Sequence, residues 1–284
     1  MRLTHFTFLR ALAFVSLAIA PLPTAKAQAR SVLLVETARN ATEPYTDRAV
    51  AIAAGYRRVG RDFPSMGEHW LSPRLIVEGV FDVSRPAVLT YVTIEGRPTL
   101  TGVVYAIPLA PGESPPEAFG PDALWHEHNG TIDEEGLLAE HHTMHTSATG
   151  TRVAFLHAWI RIPSSDGIFA AENWAIPFLR LHLPPPDHFP IGAARALSLL
   201  SGGKAFFLDL AGSSAAPTVS ASLDQCSAIA GKIVSAARSA HRTLTVDDLR
   251  ELDAAWQSAM TAIAGSVKAE IAQRLNGGVP PHVH

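Results

Sequence analysis

The sequence predicts an α+β protein whose core is an antiparallel sheet or partly closed β-barrel, with an N-terminal helix before it and a C-terminal helical hairpin after it. Three observations carry that expectation. Ala87 to Ile94 and Thr99 to Ile107 are β-rich runs separated by Glu95-Gly96-Arg97-Pro98, a hairpin spacing with turn residues in the gap. Thr151 to Ile162 places Val153, Phe155, His157 and Trp159 on one face and Ala154, Leu156, Ala158 and Ile160 on the other. A strand apolar on both faces is covered on both faces, so this one is expected near the centre of the sheet. Long helical stripes follow only after Pro184-Pro185-Pro186, which places the sheet at about 72–183.

Taken in order, residues 1–29 read as a secretory signal peptide. Arg2 and Arg10 supply a positive start, 11–20 an apolar stretch, and Ala25-Lys26-Ala27 or Ala27-Gln28-Ala29 a small-residue cleavage site. The apolar run is about half of the roughly 20 residues needed to span a bilayer, so the expected product is periplasmic or secreted, with no membrane association after signal removal. Residues 30–186 form a helix plus a β-rich domain containing most of the histidines, and 187–284 a helical region packed on it. Within the first part, 43–62 is expected to be helical, with Ala49, Ile52, Tyr56 and Val59 as its apolar stripe and Gly55 as a point where it could shorten. Met66-Gly67-Glu68-His69-Trp70 is expected as a loop. The segment 108–121 is loop, given its prolines and glycines. Beyond Pro186, Leu223, Cys226, Ile229 and Ile233 repeat at helical intervals. A longer stripe runs through Leu249, Leu252, Trp256, Met260, Ile263, Val267 and Ile271, with Thr245 as N-cap, and Gly277-Gly278 stops it.

Composition excludes several functions. The formal net charge is −3 and becomes more negative once Arg2, Arg10 and Lys26 leave with the signal, so the clustered cations that bind nucleic acid are missing. Cys226 is the single cysteine, which forbids an intrachain disulfide; it packs in a helical core, bridges a homodimer or serves as a reactive group. The chain has no Gly-x-Ser-x-Gly elbow, no phosphate-cradling Gly-x-x-x-x-Gly-Lys loop and no Cys-x-x-Cys pair.

The positive signal is histidine. Of 13 histidines, His126, His128, His141, His142, His145 and His157 lie close together in the sequence, and His69 precedes them. Neutral imidazole is a ligand for zinc, copper and non-haem iron and titrates near neutrality. On a strand, His126 and His128 share a face with Glu127 opposite. His157, on its covered strand, and His69 could converge with them, giving a transition-metal site (Cu, Zn or Fe) of His69, His126, His128 and His157. His141 and His145 would share a helix face, but His142 stands where a His-Glu-x-x-His protease needs glutamate; an exposed loop is the other reading of this segment. Glu68, Glu127, Asp133, Glu134, Glu135 and Glu140 are available to orient ligands, and no catalytic residue is assigned. Trp70, Trp125, Trp159 and Trp174 each stand beside a motif residue, either as core or as the aromatic wall of a small-molecule pocket.

Several motifs recur in an order that resembles a family of uncharacterised secreted bacterial proteins. They are Met66-Gly67-x-His69-Trp70, Trp125-His126-Glu127-His128-Asn129-Gly130, Leu156-His157-Ala158-Trp159 and Gly167-Ile168-Phe169-Ala170-Ala171-Glu172-Asn173-Trp174-Ala175-Ile176-Pro177-Phe178. The likeness covers roughly 45–183. It implies a grouping and no particular reaction or cofactor. The chain departs from the pattern at Pro163-Ser164-Ser165-Asp166, where an Asn-Pro-x-Gly turn is expected, and at Glu172, in an aspartate position. Together these readings give an expectation of an exported, histidine-rich metal-binding protein, whether an enzyme acting on a small molecule or a non-catalytic ligand-binding or stress protein with structural histidines.

Overall fold

The computed structural model of the chain describes residues 25–120, 123–128, 141–143 and 152–277. Helix α1 (Ala25–Ala41) turns Val35 and Ala38 into the core. The helix expected over 43–62 is much shorter. A 3-10 turn, Glu43–Thr46, leads to α2 (Arg48–Ala53), where Asp47 caps the first turn by accepting from the Ala49 N–H at 2.9 Å. Gly55 then takes φ +97°, a left-handed conformation open to glycine, and Arg57–Phe63 continues as strand β1. The helical stripe fails because Ile52 is left exposed while Val59 and Phe63 are buried from a strand.

The Met-Gly-Glu-His-Trp segment is likewise not a loop. Gly67–Leu71 is strand β2, paired antiparallel with β1 around a turn at 64–66. After the short helix α3 (Pro73–Glu78) come β3 (Val88–Ile94) and β4 (Arg97–Leu109), joined by Glu95 and Gly96, both at positive φ in a two-residue hairpin turn. Short strands β5 (His126–His128) and β6 (His141–Thr143) precede β7 (Arg152–Ala158). Among the described residues the strands form one sheet in the order β1-β2-β3-β4-β7-β5-β6, with antiparallel pairings, curled into a half-barrel. The central position expected for the 151–162 strand is thus observed, between β4 and β5. The sheet begins earlier than residue 72, because β1 and β2 belong to it.

Leu89, Tyr91, Val103, Tyr105 and Leu156 pack with Val35, Ala38, Ala51 and Leu75 of the three N-terminal helices. Six helices follow: α4 (Ile176–Arg180), α5 (Ile191–Ser198), α6 (Gly203–Ala211), α7 (Ala216–Ser239), α8 (Val246–Ala264) and α9 (Ala269–Gly277). The expected hairpin is α7 with α8, enlarged by α5, α6 and α9. Thr245 and Asp248 close a reciprocal capping box at the start of α8. Leu249, Leu252, Trp256, Met260 and Ile263 are buried from that helix, but the stripe breaks at 265–268 and Ile271 belongs to α9. Cys226 is buried within this helical core, among Leu223, Ala230 and Ile233, as its helical spacing predicted. A small cluster of Phe63, Met66, Val92, Trp159 and Ile176, with Phe206 of α6 against it, joins the sheet to the helices.

Candidate functional site

Sheet register brings three of the predicted histidines onto one face. His69 of β2 pairs with Thr90 of β3, Thr90 pairs with Gly102 of β4, Val104 pairs with His157 of β7, and Phe155 pairs with His126 of β5. Residues two apart on a strand share a face, so His69, Thr90, Gly102, His157 and His126 line the same side of the sheet. On a flat sheet β2 and β7 would lie about 14 Å apart, three spacings of roughly 4.8 Å. The His69 and His157 rings nevertheless come to 5.6 Å, centre to centre, with planes at 72°. His126 lies on the other side of His157, at 5.5 Å and 30°. The result is a row, His69, His157, His126, crossing the face of the sheet.

Small residues beneath the row make room for it. A Cβ on Gly102 would fall 3.1 Å from Thr90 Oγ1 and 3.1 Å from the ring of Trp159. Thr90 is itself tied to Thr101 through their hydroxyls at 3.1 Å. All three histidines are buried, with 2 %, 3 % and 7 % of their surface exposed for His69, His157 and His126. Phe63 meets His69 edge-on at 5.6 Å, and Trp159 lies 5.8 Å from His157 and donates its indole N–H to the Ala170 carbonyl at 2.8 Å. His126 Nδ1 lies 3.3 Å from the Leu124 carbonyl oxygen.

The other predicted residues are placed as follows. His128 is two residues beyond His126 on β5, and its backbone partner across the sheet is His141; Glu127 pairs with His142. His141 and His142 are in a strand, not the helix considered from their spacing. His145, Asp133, Glu134, Glu135 and Glu140 lie outside the described residues. Glu68 alternates with His69 to the opposite face, where it accepts from Arg48 at 3.0 Å, Arg58 at 2.9 Å and the Trp70 indole at 3.2 Å. Glu127 is buried on the side of β5 opposite His126. Among the described residues, no group of three or more His, Cys, Asp or Glu side chains is set to hold a metal ion.

The four tryptophans do not form one wall. Trp159 packs its ring against the histidine row. Trp70 lies under the Arg48 guanidinium and near Tyr91, Trp125 packs on Phe81, and Trp174 donates to Glu172 at 3.0 Å with Arg195 over its ring. Arg195 stacks between Trp174 and Trp256, and burial there pushes its guanidinium below the usual arginine range. Sequence reasoning missed Thr90 and Gly102. Neither carries a signal in isolation, because what they contribute is smallness at one register position.

No protein family, no curated protein and no solved structure matches the chain.

Proposed function

We propose that this is an exported transition-metal-binding protein whose ligands come from His69, His157 and His126, with His128 of the same strand as a further donor. The observation that carries the reading is the buried row with its two spacings of 5.6 and 5.5 Å. Imidazoles sharing one metal at about 2.0–2.1 Å have ring centres roughly 5 Å apart at a tetrahedral angle, so both neighbouring pairs are near that separation. His157, at the centre, is the ligand common to both pairs. Copper, zinc and iron all accept such a nitrogen set. If metal binding draws His69 and His126 in on either side of His157, the resulting three-nitrogen site with an open position would support chemistry on a small molecule.

A second reading is favoured by one specific feature. His126 stacks on His157 at 30°, an arrangement of packed rings more than of two donors aimed at one point. On that reading the protein is a non-catalytic small-ligand-binding or stress protein and the histidines are structural. Elemental analysis of untagged protein, before and after reconstitution with copper, zinc or iron, separates the two. The metal reading expects about one equivalent, lost in His157→Gln while the variant still melts cooperatively. Less than about a tenth of an equivalent after reconstitution sinks it.

A further inference from the structure

A cleft of about 600 Å³ opens beside the histidine row without including it. Trp159 forms part of its wall; the rest comes from Arg39 of α1 and from the chain after β7, including Arg161, Ile162, Ser164 and Ile168. Its volume is that of a small-molecule site. Two arginines border the cleft, and among the described residues no Asp or Glu does. Their ion-pair partners lie outside the lining: Arg39 meets Glu36 at 2.5 Å and Arg161 meets Glu43 at 2.9 Å, and both glutamates are half or more exposed.

The arginines are held in place by the backbone. Arg39 Nε donates to the Ile160 carbonyl at 2.8 Å, and an Arg161 terminal nitrogen donates to the Arg39 carbonyl at 2.8 Å. Each side chain therefore braces the segment that carries the other. Two further polar atoms of lining residues, Arg161 Nε and Ser164 Oγ, are buried and have no hydrogen-bond partner among the described residues. Ile162 and Ile168 supply apolar surface alongside them. A wall of fixed cations, spare donors and branched aliphatic side chains discriminates in two ways at once. It attracts an anion of planar, forked shape, which guanidinium groups match, and it favours one that carries hydrocarbon.

We propose that this cleft binds a small organic carboxylate with a short apolar tail, the carboxylate toward Arg39 and Arg161 and the tail along Ile162 and Ile168. The site is independent of any metal on the histidine row. It also gives the Pro163-Ser164-Ser165-Asp166 turn, where the chain departs from the motif pattern, a place in ligand recognition.

The test uses the full chain stripped of metal and titrated with sodium octanoate, followed by calorimetry and tryptophan fluorescence. Saturable binding is expected, at least about tenfold weaker for octanamide, which lacks the charge, and for acetate, which lacks the tail. Arg161→Gln should weaken octanoate by about tenfold or more. Because Arg161 also braces α1, Ile168→Trp provides a second variant: it fills the cleft from a partly exposed position and should abolish binding while a cooperative melt is retained. Equal affinity for octanoate and octanamide, unchanged binding in both variants, or no saturation by about 10 mM octanoate overturns the proposal. Loss of binding in His157→Gln also overturns it, by moving the ligand to the histidine row; retained octanoate binding in a protein that takes up no metal leaves the cleft standing alone.

Discussion

His157 illustrates how much a single side chain can be asked to do at the residue scale. It touches both other imidazoles and Trp159, from a strand with neighbours on both sides. Replacing it with alanine removes a buried ring and leaves its neighbours without their contact, at a cost of about 1–3 kcal/mol in a denaturant melt. Cys226 makes the opposite case, a potentially reactive group kept inert by its surroundings. Burial among aliphatic helix residues pushes its thiol up from 9.0 to about 11. The native thiol should resist iodoacetamide at pH 8 and react at once in denaturant, read by mass spectrometry. Because the folded pKa is the higher, this group's contribution is fully present below pH 9 and is lost as pH rises toward 11.

Elements formed as the sequence suggested wherever local chemistry and packing agreed. The Glu95-Gly96 hairpin, the doubly apolar β7 and the Thr245 cap with its stripe were all legible because turn residues, alternation and capping each act within a few positions. The stretch 43–62 was not. Ala49, Ile52, Tyr56 and Val59 satisfy a helical period, and only the left-handed Gly55 together with pairing to β2 converts the second half to a strand. The β2 segment reads as a loop from sequence, whereas its Gly67 serves a close approach within a strand. At φ +77° a Cβ there would fall 2.3 Å from the Tyr91 carbonyl oxygen. Gly67→Ala should therefore destabilise the protein by about 2 kcal/mol or more, seen as a lower Tm. At the start of α8, Arg242, from the chain just before the helix, is the main cause holding Asp248 down to about 2, from the usual 3.8. Its contribution is present above pH 3.8 and lost as pH falls through about 2. Asp248→Asn should lower stability by about 0.5–2 kcal/mol at pH 7 and by progressively less toward pH 2, measured by thermal melts across that range.

For the whole molecule, the sequence divided sheet from helices at Pro186, and the packing shows how closely the two are interlocked. Trp174, Phe178, Leu181 and Leu183, all before that point, belong to the helical core. Arg180 of α4 reaches back to Asp62 of β1, donating at 2.9 Å. A fragment ending at residue 186 should accordingly melt without cooperativity and bind a hydrophobic dye, having lost the partners of those four side chains. The site itself was half legible. Its imidazoles announced themselves by residue type, but their meeting depends on register among five strands, which no local pattern encodes.

The strand order has a consequence in time. β7 comes after β5 and β6 in the chain yet lies between β4 and β5 in the sheet. The β5–β6 pairing can close locally, but His126 reaches His157 only when β7 has docked on both sides. Non-local strand insertion of this kind is slow compared with hairpin closure. The histidine row is thus expected to assemble late in folding, when β7 docks, and on the metal-binding reading its imidazoles would until then be separate donors. Refolding in the presence of excess copper should trap misligated chains, while adding the same copper after refolding should not.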